Sequence, residues 1–237
     1  MNYINQIKQI IIPSGGLGTH LYPMTKDVPK CLIPINGHPF IKHQINLIKK
    51  NDISEVILCI GMHSQKIIDY LKNNSDFGIS IKYSIEDASN LLGTLGALKK
   101  AEKLLKENFF VIWGDSYLDV DYQKIANTFF RSKKFGLLTV YKNKNQLFPS
   151  NTSINDGLVI NYDKKKSNEF EYIDFGLSVF QKKVLDFFPS KRRLDLSDLN
   201  KKLISMEQLA AFEVKDRFYE IGSFKGIKDL GEYLKTN

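Results

Sequence analysis

The sequence predicts an α/β protein of three layers, in which helices cover both faces of a mixed, mostly parallel central sheet. Two observations support this fold class. Short continuous apolar runs, typical of strands buried on both faces, alternate with segments of helical periodicity through the first half of the chain. Two of these runs also lead directly into glycines, Gly15-Gly16 and Gly114. Ligands bind beyond the carboxyl ends of strands in such sheets, so both glycine segments are expected at one binding edge.

The first half of the chain supplies most of the predicted parallel strands. Apolar runs and one alternating segment predict strands at 9–13, 55–60, 79–85 and 109–113. Apolar residues at helical spacing predict helices at 40–50, 63–73 and 95–105. Because each helix lies between two strands, the order favours crossover connections and parallel pairing.

The second half contains more strands and forms a smaller β-rich part after about residue 135. Its patterns predict strands at 135–141, 157–162, 172–180 and 209–214. They predict helices at 184–188, 196–204 and 224–234. No Gly-, Ser- or Pro-rich linker and no repeat separates the halves, so residues 1–237 are predicted to form one domain.

Composition narrows the classes of partner and the compartment. The chain has 237 residues and a net charge of +8, which favours anionic partners, although a genomic bias towards lysine explains that charge equally well. Lys164–Lys166 is interpreted as a solvated turn, and no nucleic-acid recognition motif is present. We expect no membrane partner, a cytoplasmic location and two reduced, inert thiols, Cys31 and Cys59.

The glycine-rich segment 14–19 has the composition of an anion-binding loop. Glycines let the backbone approach an anion closely, and consecutive N–H groups can form a concave site. The segment lacks the Gly-Lys-Ser/Thr ending of a P-loop, and Leu21 interrupts the dinucleotide-binding pattern. From the glycines alone, phosphate binding and a tight structural turn remain equally supported.

Two charged residues follow the predicted strand ends. Lys30 lies between Pro29 and Cys31 in a proline-stiffened segment that could hold its ammonium over a phosphate, although a lone loop lysine is more often solvated. Asp115 follows a buried strand, where a carboxylate can hold Mg²⁺ or form part of a turn. Glu220 places a second carboxylate before Gly222.

Taken together, five segments resemble the sugar-1-phosphate nucleotidyltransferases, most closely the bacterial enzymes that load heptose 1-phosphate with GMP. These segments are Ser14–Lys30, Leu92–Ala97, Trp113–Ser116, Tyr172–Gly176 and Arg217–Gly222. The correspondence runs from about Gln9 to Gly226, which is nearly the whole chain. It implies a Rossmann-like nucleotide-diphospho-sugar transferase fold, with a nucleotide-binding part at about 1–134 and a sugar-phosphate-binding part at about 135–237.

The resemblance also implies the reaction and the roles of individual residues. A sugar 1-phosphate would attack the α-phosphorus of an NTP, here GTP, and pyrophosphate would leave. Lys30 and Asp115 would be catalytic, and Asp115 and Glu220 would hold Mg²⁺. The implied nucleotide-binding residues are Ser14, Gly15, Gly16, Gly18, Thr19, His20, Gly93 and Thr94. The implied sugar-phosphate-binding residues are Asp174 and Gly176.

Three positions depart from the pattern of this family. His20 stands where the loop usually has arginine, Glu220 where a metal-binding aspartate is usual, and Leu95 where glycine is common. A histidine is a shorter phosphate ligand than arginine and carries only partial charge near neutral pH. These departures leave open an alternative, a catalytically weak or inactive relative that binds nucleotide or sugar phosphate as a regulatory protein. The sequence is compatible with a homo-oligomer.

Overall fold

The structure is a computed structural model that describes residues 7–16, 18–74, 77–164, 169–190 and 192–236. The strands are β1 (Gln9–Pro13), β2 (Pro34–Ile35), β3 (His38–Pro39), β4 (Glu55–Ile60), β5 (Ser80–Ile85), β6 (Asn108–Ile112), β7 (Ser116–Tyr117), β8 (Gly136–Lys142), β9 (Thr152–Asn155), β10 (Leu158–Tyr162), β11 (Tyr172–Gln181), β12 (Leu209–Val214) and β13 (Tyr219–Glu220). The helices are α1 (Phe40–Lys50), α2 (Ser64–Asn73), α3 (Gly93–Lys100), α4 (Tyr122–Ser132), α5 (Leu196–Ser205) and α6 (Phe224–Thr236). Short 3₁₀ turns form at Thr19–Leu21, Lys30–Leu32, Glu102–Leu104 and Lys182–Phe187.

A nine-stranded sheet contains strands from both halves of the chain, in the order β5-β4-β1-β6-β11-β8-β12-β10-β9. The four strands of the first half, β5, β4, β1 and β6, are all parallel to their neighbours within this group. Strand β11 joins β6 in antiparallel pairing and opens the mixed second half. Because the carboxyl ends of β1, β4, β5 and β6 meet at one edge, the loops that follow them converge there.

Apolar cores on both faces of the sheet confirm the predicted three layers. Along β1, Ile10 and Ile12 pack into one core and Ile11 into the opposite one, so both faces of this strand are covered. The first core is completed by α1, α2 and α4, and the second by α3 and α5. Each of these helices has an apolar stripe directed at the sheet, and in α1, α2, α3 and α5 this stripe is the helical periodicity on which the sequence predictions rested.

The described helices include one that the sequence analysis did not predict, α4. Its signals are nevertheless present: Ile125 and Phe129 lie one turn apart on the buried face. Asp121 also caps the first turn by accepting a hydrogen bond from Lys124 N at 3.0 Å. Two predicted helices differ from the structure, one in its length and the other in its type. The helix expected at 95–105 ends at Lys100, and the segment expected as a helix at 184–188 is part of a 3₁₀ turn.

A third, smaller core brings the end of the chain to the binding edge. Helix α6 packs with the short β2–β3 and β7–β13 pairs around residues such as Phe40, Ile221 and Leu230. Strand β13 pairs with β7, and Ile221 N donates to the carbonyl oxygen of Asp115 at 2.9 Å. This contact places Glu220 next to the segment that carries Asp115. Among the helices of the described residues, none is long and apolar enough to cross a bilayer.

Candidate active site

A cavity of about 460 Å³ opens at the carboxyl ends of β1, β4, β5 and β6. All the residues that the resemblance implied as nucleotide-binding line it: Ser14, Gly15, Gly16, Gly18, Thr19, His20, Gly93 and Thr94. Lys30 and Asp115 line it as well. The structure therefore gathers at one cavity the glycine-rich loop, Lys30, the Gly93-Thr94 turn and Asp115, which are well separated in the sequence.

The glycine-rich loop is fixed at both ends. Ser14 N donates to Cys59 O at 2.7 Å, which ties the start of the loop to the end of β4. Gly18 has a φ of +60°, in the left-handed region that favours glycine, and its carbonyl oxygen accepts from Thr25 Oγ1 at 2.7 Å. Leu17 lies outside the described residues. The loop thus presents backbone to the cavity from a braced position.

Lys30 and Asp115 form a close ion pair inside the cavity, with Nζ 2.6 Å from Oδ2. Lys30 begins a 3₁₀ turn whose next residue, Cys31, is buried in the core and anchors it. The lysine side chain is 22% exposed, so its charge is partly shielded from water. The cation is therefore held in place at the cavity wall, in contrast to the solvated lysine that the residue type alone favours.

Gly114 allows the loop after β6 to pass directly against the glycine-rich loop. A Cβ atom here would collide with Ser14 Oγ and would stand 2.6 Å from Pro13 O. Ser14 Oγ is itself buried and has no hydrogen-bond partner among the described residues. A buried hydroxyl without a partner is uncommon, and this one lies at the cavity, where a bound ligand could satisfy it.

A segment from the second half of the chain completes the wall of the first cavity, and sequence reasoning did not find it. Leu194 O accepts from Leu95 N and Gly96 N at 3.0 and 3.2 Å, and Arg193 and Asp195 line the cavity. A Cβ atom on Gly93, whose φ is +74°, would stand 2.6 Å from Leu194 O. The glycine therefore permits this contact, which no local pattern around Arg193 indicates.

A second cavity, of about 370 Å³, borders the first one at Trp113 and Asp115. Its lining includes Tyr162 and Asp174 from the β-rich part. The Asp174 carboxylate accepts from Tyr162 Oη at 3.1 Å and from Gly176 N at 2.9 Å. Burial raises the pKa of Asp174 above its usual range, and the hydrogen bond from Gly176 N partly offsets this effect. The cavity thus combines aromatic surface with a fixed acceptor.

Lys164 lies in a turn and is exposed, as the sequence analysis expected for this residue, and it also borders the second cavity. Its Nζ lies 5.0 Å from the ring centroid of Trp113, and the residue lines the second cavity. The following residues of this run, Lys165 and Lys166, lie outside the described residues. The lysine run in the sequence indicates only a local positive charge. The contact between Lys164 and Trp113 depends on how the strands on either side pack in the sheet.

Gly176 packs against Trp113, a residue that lines the second cavity. It has a φ of +93°, and a Cβ atom here would stand 2.6 Å from Trp113 Cδ1. Trp113 N also donates to Gly176 O at 3.1 Å. Gly176 therefore holds Trp113 and Asp174 in position, and it is not among the residues that line the cavity.

Glu220 lines the second cavity together with Asp115, but its carboxylate is engaged in its own turn. It accepts hydrogen bonds from Ser223 Oγ at 2.6 Å and from Gly222 N. A Cβ atom on Gly222 would stand 2.6 Å from Glu220 Oε2 and 3.2 Å from Lys30 Nζ, so this carboxylate lies near the ion pair.

The donor set suits Mg²⁺ in kind. This ion takes oxygen ligands and commonly binds through one or two carboxylates, with water and substrate phosphates completing its shell. Asp115 and Glu220 supply two carboxylates at one cavity. No group of three or more His, Cys, Asp or Glu side chains suited to a metal occurs among the described residues. Water and substrate oxygens would complete the shell.

Comparison with known proteins agrees with this geometry. The nucleotidyl transferase family model matches residues 9–236. The heptose 1-phosphate guanylyltransferase (D-glycero-α-D-manno form) of Campylobacter jejuni is 31% identical over 90% of this chain and 94% of its own length. Mannose-1-phosphate guanyltransferase 2 of Candida glabrata is 27% identical over 95% of this chain, which spans 64% of that protein. The crystal structure of HddC from Yersinia pseudotuberculosis superposes with a TM-score of 0.80 at 24% identity, covering 96% of this chain and 100% of the other. The predicted resemblance is thus confirmed, and the chain belongs to the nucleotidyl transferase family.

Proposed function

We propose that the protein transfers GMP from GTP to heptose 1-phosphate, in an Mg²⁺-dependent reaction that yields GDP-heptose and pyrophosphate. The observation that carries the proposal is the Lys30–Asp115 ion pair at the boundary between the two cavities, both of which Asp115 lines. A reaction that joins two phosphorylated substrates needs a cation and a metal-binding carboxylate at the point where the substrates meet.

The two cavities differ in the way two such substrates differ. The first offers glycine backbone and the positive charges of Lys30 and Arg193, which suit a triphosphate. The second offers three groups that suit a sugar phosphate. The Trp113 ring suits the apolar face of the sugar, Lys164 suits the phosphate, and Asp174 suits the hydroxyl groups. We assign the nucleotide to the first cavity and the sugar phosphate to the second. The proposal keeps a nucleotide-binding part at about 1–134 and a sugar-phosphate-binding part at about 135–237. Because Arg193 lines the first cavity, this division does not strictly separate the two sites.

The chemistry requires positioning and charge neutralisation, with no acid–base residue. An oxygen of the sugar phosphate forms a bond to the α-phosphorus, and the bond from that phosphorus to the bridging oxygen of pyrophosphate breaks. The attacking phosphate is already ionised near neutral pH, so no proton has to be removed. Lys30 would exchange its contact with Asp115 for the phosphate oxygens, and backbone amides of the glycine-rich loop would hold the leaving group.

Asp115 and Glu220 would hold the Mg²⁺, which neutralises triphosphate charge when bound. Lys30, which is paired with Asp115 in the structure, would be free to contact phosphate oxygens if Asp115 served as a metal ligand. Glu220 would bind through the lone pairs that Ser223 and Gly222 leave open, or after leaving its turn.

Support for guanine and for heptose comes from the relatives. The Campylobacter jejuni relative, which this chain matches over almost its full length, is a heptose 1-phosphate guanylyltransferase. The Candida glabrata relative is a mannose-1-phosphate guanyltransferase. The names of both relatives specify transfer of a guanylyl group, whereas the sugar 1-phosphates that they name are different. A role in surface polysaccharide synthesis in the cytoplasm belongs to the same proposal.

The proposal is tested by pyrophosphate release, with the four NTPs screened against a panel of sugar 1-phosphates in the presence of Mg²⁺. We expect turnover with GTP and heptose 1-phosphate to exceed every other pairing. Turnover with another pairing of NTP and sugar 1-phosphate would support the proposed transferase reaction and correct its substrates. Nucleotide binding without turnover on any sugar phosphate would favour the regulatory alternative, in which His20 and the occupied Glu220 carboxylate reflect lost catalysis.

A further inference from the structure

Gln44 is a fully buried glutamine on α1, and nothing above assigns a role to it. Its side chain is hydrogen-bonded to the turn Trp113–Ser116, which is called the metal turn below because it carries the carboxylate proposed to bind Mg²⁺. Its neighbours Ile41 and Ile45 on the same helix belong to the apolar core. A polar side chain in such a setting has to form hydrogen bonds to offset the loss of water.

The side-chain amide of Gln44 links the two ends of the metal turn. Its Nε2 atom donates to Trp113 O at 3.0 Å and to Ser116 O at 2.8 Å. Ser116 N also donates to Trp113 O at 3.1 Å, which closes the turn itself. Gly114 and Asp115 are the two residues between these ends. Gln44 therefore holds the short backbone segment on which Asp115 stands.

The metal turn needs support from outside because Gly114 directly precedes Asp115. Glycine has the largest backbone freedom of all residues, and a Cβ atom at position 114 would collide with Ser14 Oγ, so this position cannot be stiffened by a side chain. Ile221 N holds the turn at Asp115 O, at 2.9 Å. Gln44 holds it at the carbonyl oxygens on either side of that contact.

The amide group is matched to this task. A single nitrogen can serve both carbonyl oxygens only if it carries at least two N–H groups, as the Gln44 amide does. The reverse orientation of the amide would place its oxygen against two carbonyl oxygens, so the partners fix the orientation. Methionine would fill similar space without any donor, and glutamate would direct its lone pairs at both carbonyl groups.

The other half of the same amide carries a cost. Gln44 Oε1 is buried and has no hydrogen-bond partner among the residues that the structure describes. A buried acceptor without a partner destabilises a fold, whereas an apolar side chain would bring no such acceptor into the core. What the glutamine supplies beyond an apolar residue is the fixed geometry of the metal turn.

We infer that Gln44 is a positioning residue for the metal site, whose amide fixes the metal turn before Mg²⁺ arrives. The Asp115 carboxylate then does not have to be ordered at the moment of binding, which strengthens binding. Gln44 is not among the residues that line either cavity, so it acts only through the turn. This inference rests on the proposed function, in which Asp115 is a metal ligand.

The first experiment uses Gln44→Met, which removes both donors and keeps an unbranched side chain of similar length. Calorimetry gives the dissociation constant of GTP for the full chain, once in EDTA and once in Mg²⁺. We expect Mg²⁺ to tighten GTP binding to the wild-type protein. In Gln44→Met this gain should fall by about tenfold, as when the support of a metal ligand is removed elsewhere. The affinity for GTP in EDTA should stay the same.

The second experiment observes the turn directly, without substrate or metal. Trp113 is the only tryptophan of the chain, and its carbonyl oxygen is one of the two that Gln44 holds. Time-resolved fluorescence anisotropy of the ligand-free protein therefore measures local motion at the start of the metal turn. The wild-type protein should show little fast local motion, whereas Gln44→Met should show a clear fast component.

Gln9→Met is the matched control, because Gln9 is also fully buried and also donates through its amide. Its partners are Glu55 and Leu104 O, the latter at 2.9 Å, and it lies at the amino end of β1, at the opposite edge of the sheet from the cavity. Both variants should lose stability in urea. Only Gln44→Met should change the gain in GTP affinity from Mg²⁺ and the motion of Trp113.

Three results would overturn the inference: an unchanged Mg²⁺ gain in folded Gln44→Met, an equal loss of that gain in Gln9→Met, or fast motion of Trp113 in the wild-type protein. The last result would count even if Gln44→Met failed to fold. Pyrophosphate release by the wild-type protein in any of these cases would leave the proposed function standing. Conversely, a Mg²⁺ gain that depends on Gln44, in a protein without turnover on any substrate pairing, would support the positioning role and contradict the proposed function.

Discussion

The Nζ atom of Lys30 lies 2.6 Å from Oδ2 of Asp115, so the cation and the carboxylate proposed for catalysis neutralise each other at the wall between two cavities. The pairing has a consequence for function. Each group is held in position by the other, and each becomes available only when a partner of suitable charge replaces it. Metal at Asp115 and phosphate at Lys30 are expected to favour each other's binding.

Replacing Lys30 by alanine should lower turnover by about 100-fold or more, because a charge that stabilises the transferring phosphate is lost. Pyrophosphate release under saturating substrates measures the effect. Lys26→Ala is the control, since Lys26 is exposed and is not among the residues that line the cavity. Near-normal turnover in a folded Lys30→Ala protein would show that the phosphate is held elsewhere.

Asp115→Asn should raise the Mg²⁺ concentration required for activity, and EDTA should abolish turnover of the wild-type protein. The variable to measure is the rate as a function of free Mg²⁺. Asp119→Asn is the matched control, because Asp119 accepts a hydrogen bond from Tyr233 Oη at 2.8 Å on the side of α6. Full activity of the wild-type protein in chelator would remove the metal from the mechanism.

His20→Arg should tighten NTP binding, because a permanent charge replaces the imidazole at an exposed position of the cavity lining. A charge-assisted contact contributes about 1.5–3 kcal/mol, and solvent at this site should reduce the gain. Calorimetric titration with GTP measures it, and His38→Arg on β3 controls for added charge. If both variants bind GTP like the wild type, His20 does not contact the phosphates.

Gly176→Ala should lower the free energy of unfolding through two effects. The left-handed φ costs a non-glycine residue about 1–3 kcal/mol, and the new methyl group would also press on Trp113. Gly157→Ala separates these effects, since Gly157 has a φ of +75° with nothing near its added Cβ. Urea denaturation should show a larger loss, by about 1–3 kcal/mol, for Gly176→Ala. Equal losses would contradict the contact with Trp113.

The stability contributed by Asp174 should depend on pH. Burial raises its pKa from the usual 3.8, so the folded protein prefers the neutral acid. Its contribution is complete below the unfolded value and is lost as pH rises through the raised one. Asp174→Asn, compared with wild type by urea denaturation, should therefore become relatively more stable as the pH rises above about 4. Exposed Asp216→Asn should show no such trend, and a parallel trend in both variants would contradict the assignment.

Several site residues could be predicted because they directly follow strands or stand beside glycines. Ser14, Asp115 and Lys30 belong to short segments whose residue types already indicate phosphate or metal chemistry, and all three line the first cavity. Glu86, a carboxylate that directly follows β5, lines the same cavity and carried an equally local signal. Such residues are visible because parallel strands end at one edge whatever the details of packing.

Other members of the site depend on contacts between distant segments. Arg193 lines the first cavity because the residue after it, Leu194, is hydrogen-bonded to the start of α3. Lys164 lies over Trp113 because β10 and β11 belong to the same sheet as β6. Neither placement has a periodicity or a motif of its own, since each is decided by which surfaces meet when the sheet is complete.

The amino-acid sequence by itself determined the alternation of strands and helices, the glycine-rich loop and the charged residues at strand ends, because these follow from periodicity and from local backbone constraints. Only the tertiary structure decided that Lys30 pairs with Asp115, that Gly176 makes room for Trp113, and that the Glu220 carboxylate is held in its own turn. The physical reason is that these relationships are set by distances between segments far apart in the chain, and packing of the whole domain fixes those distances.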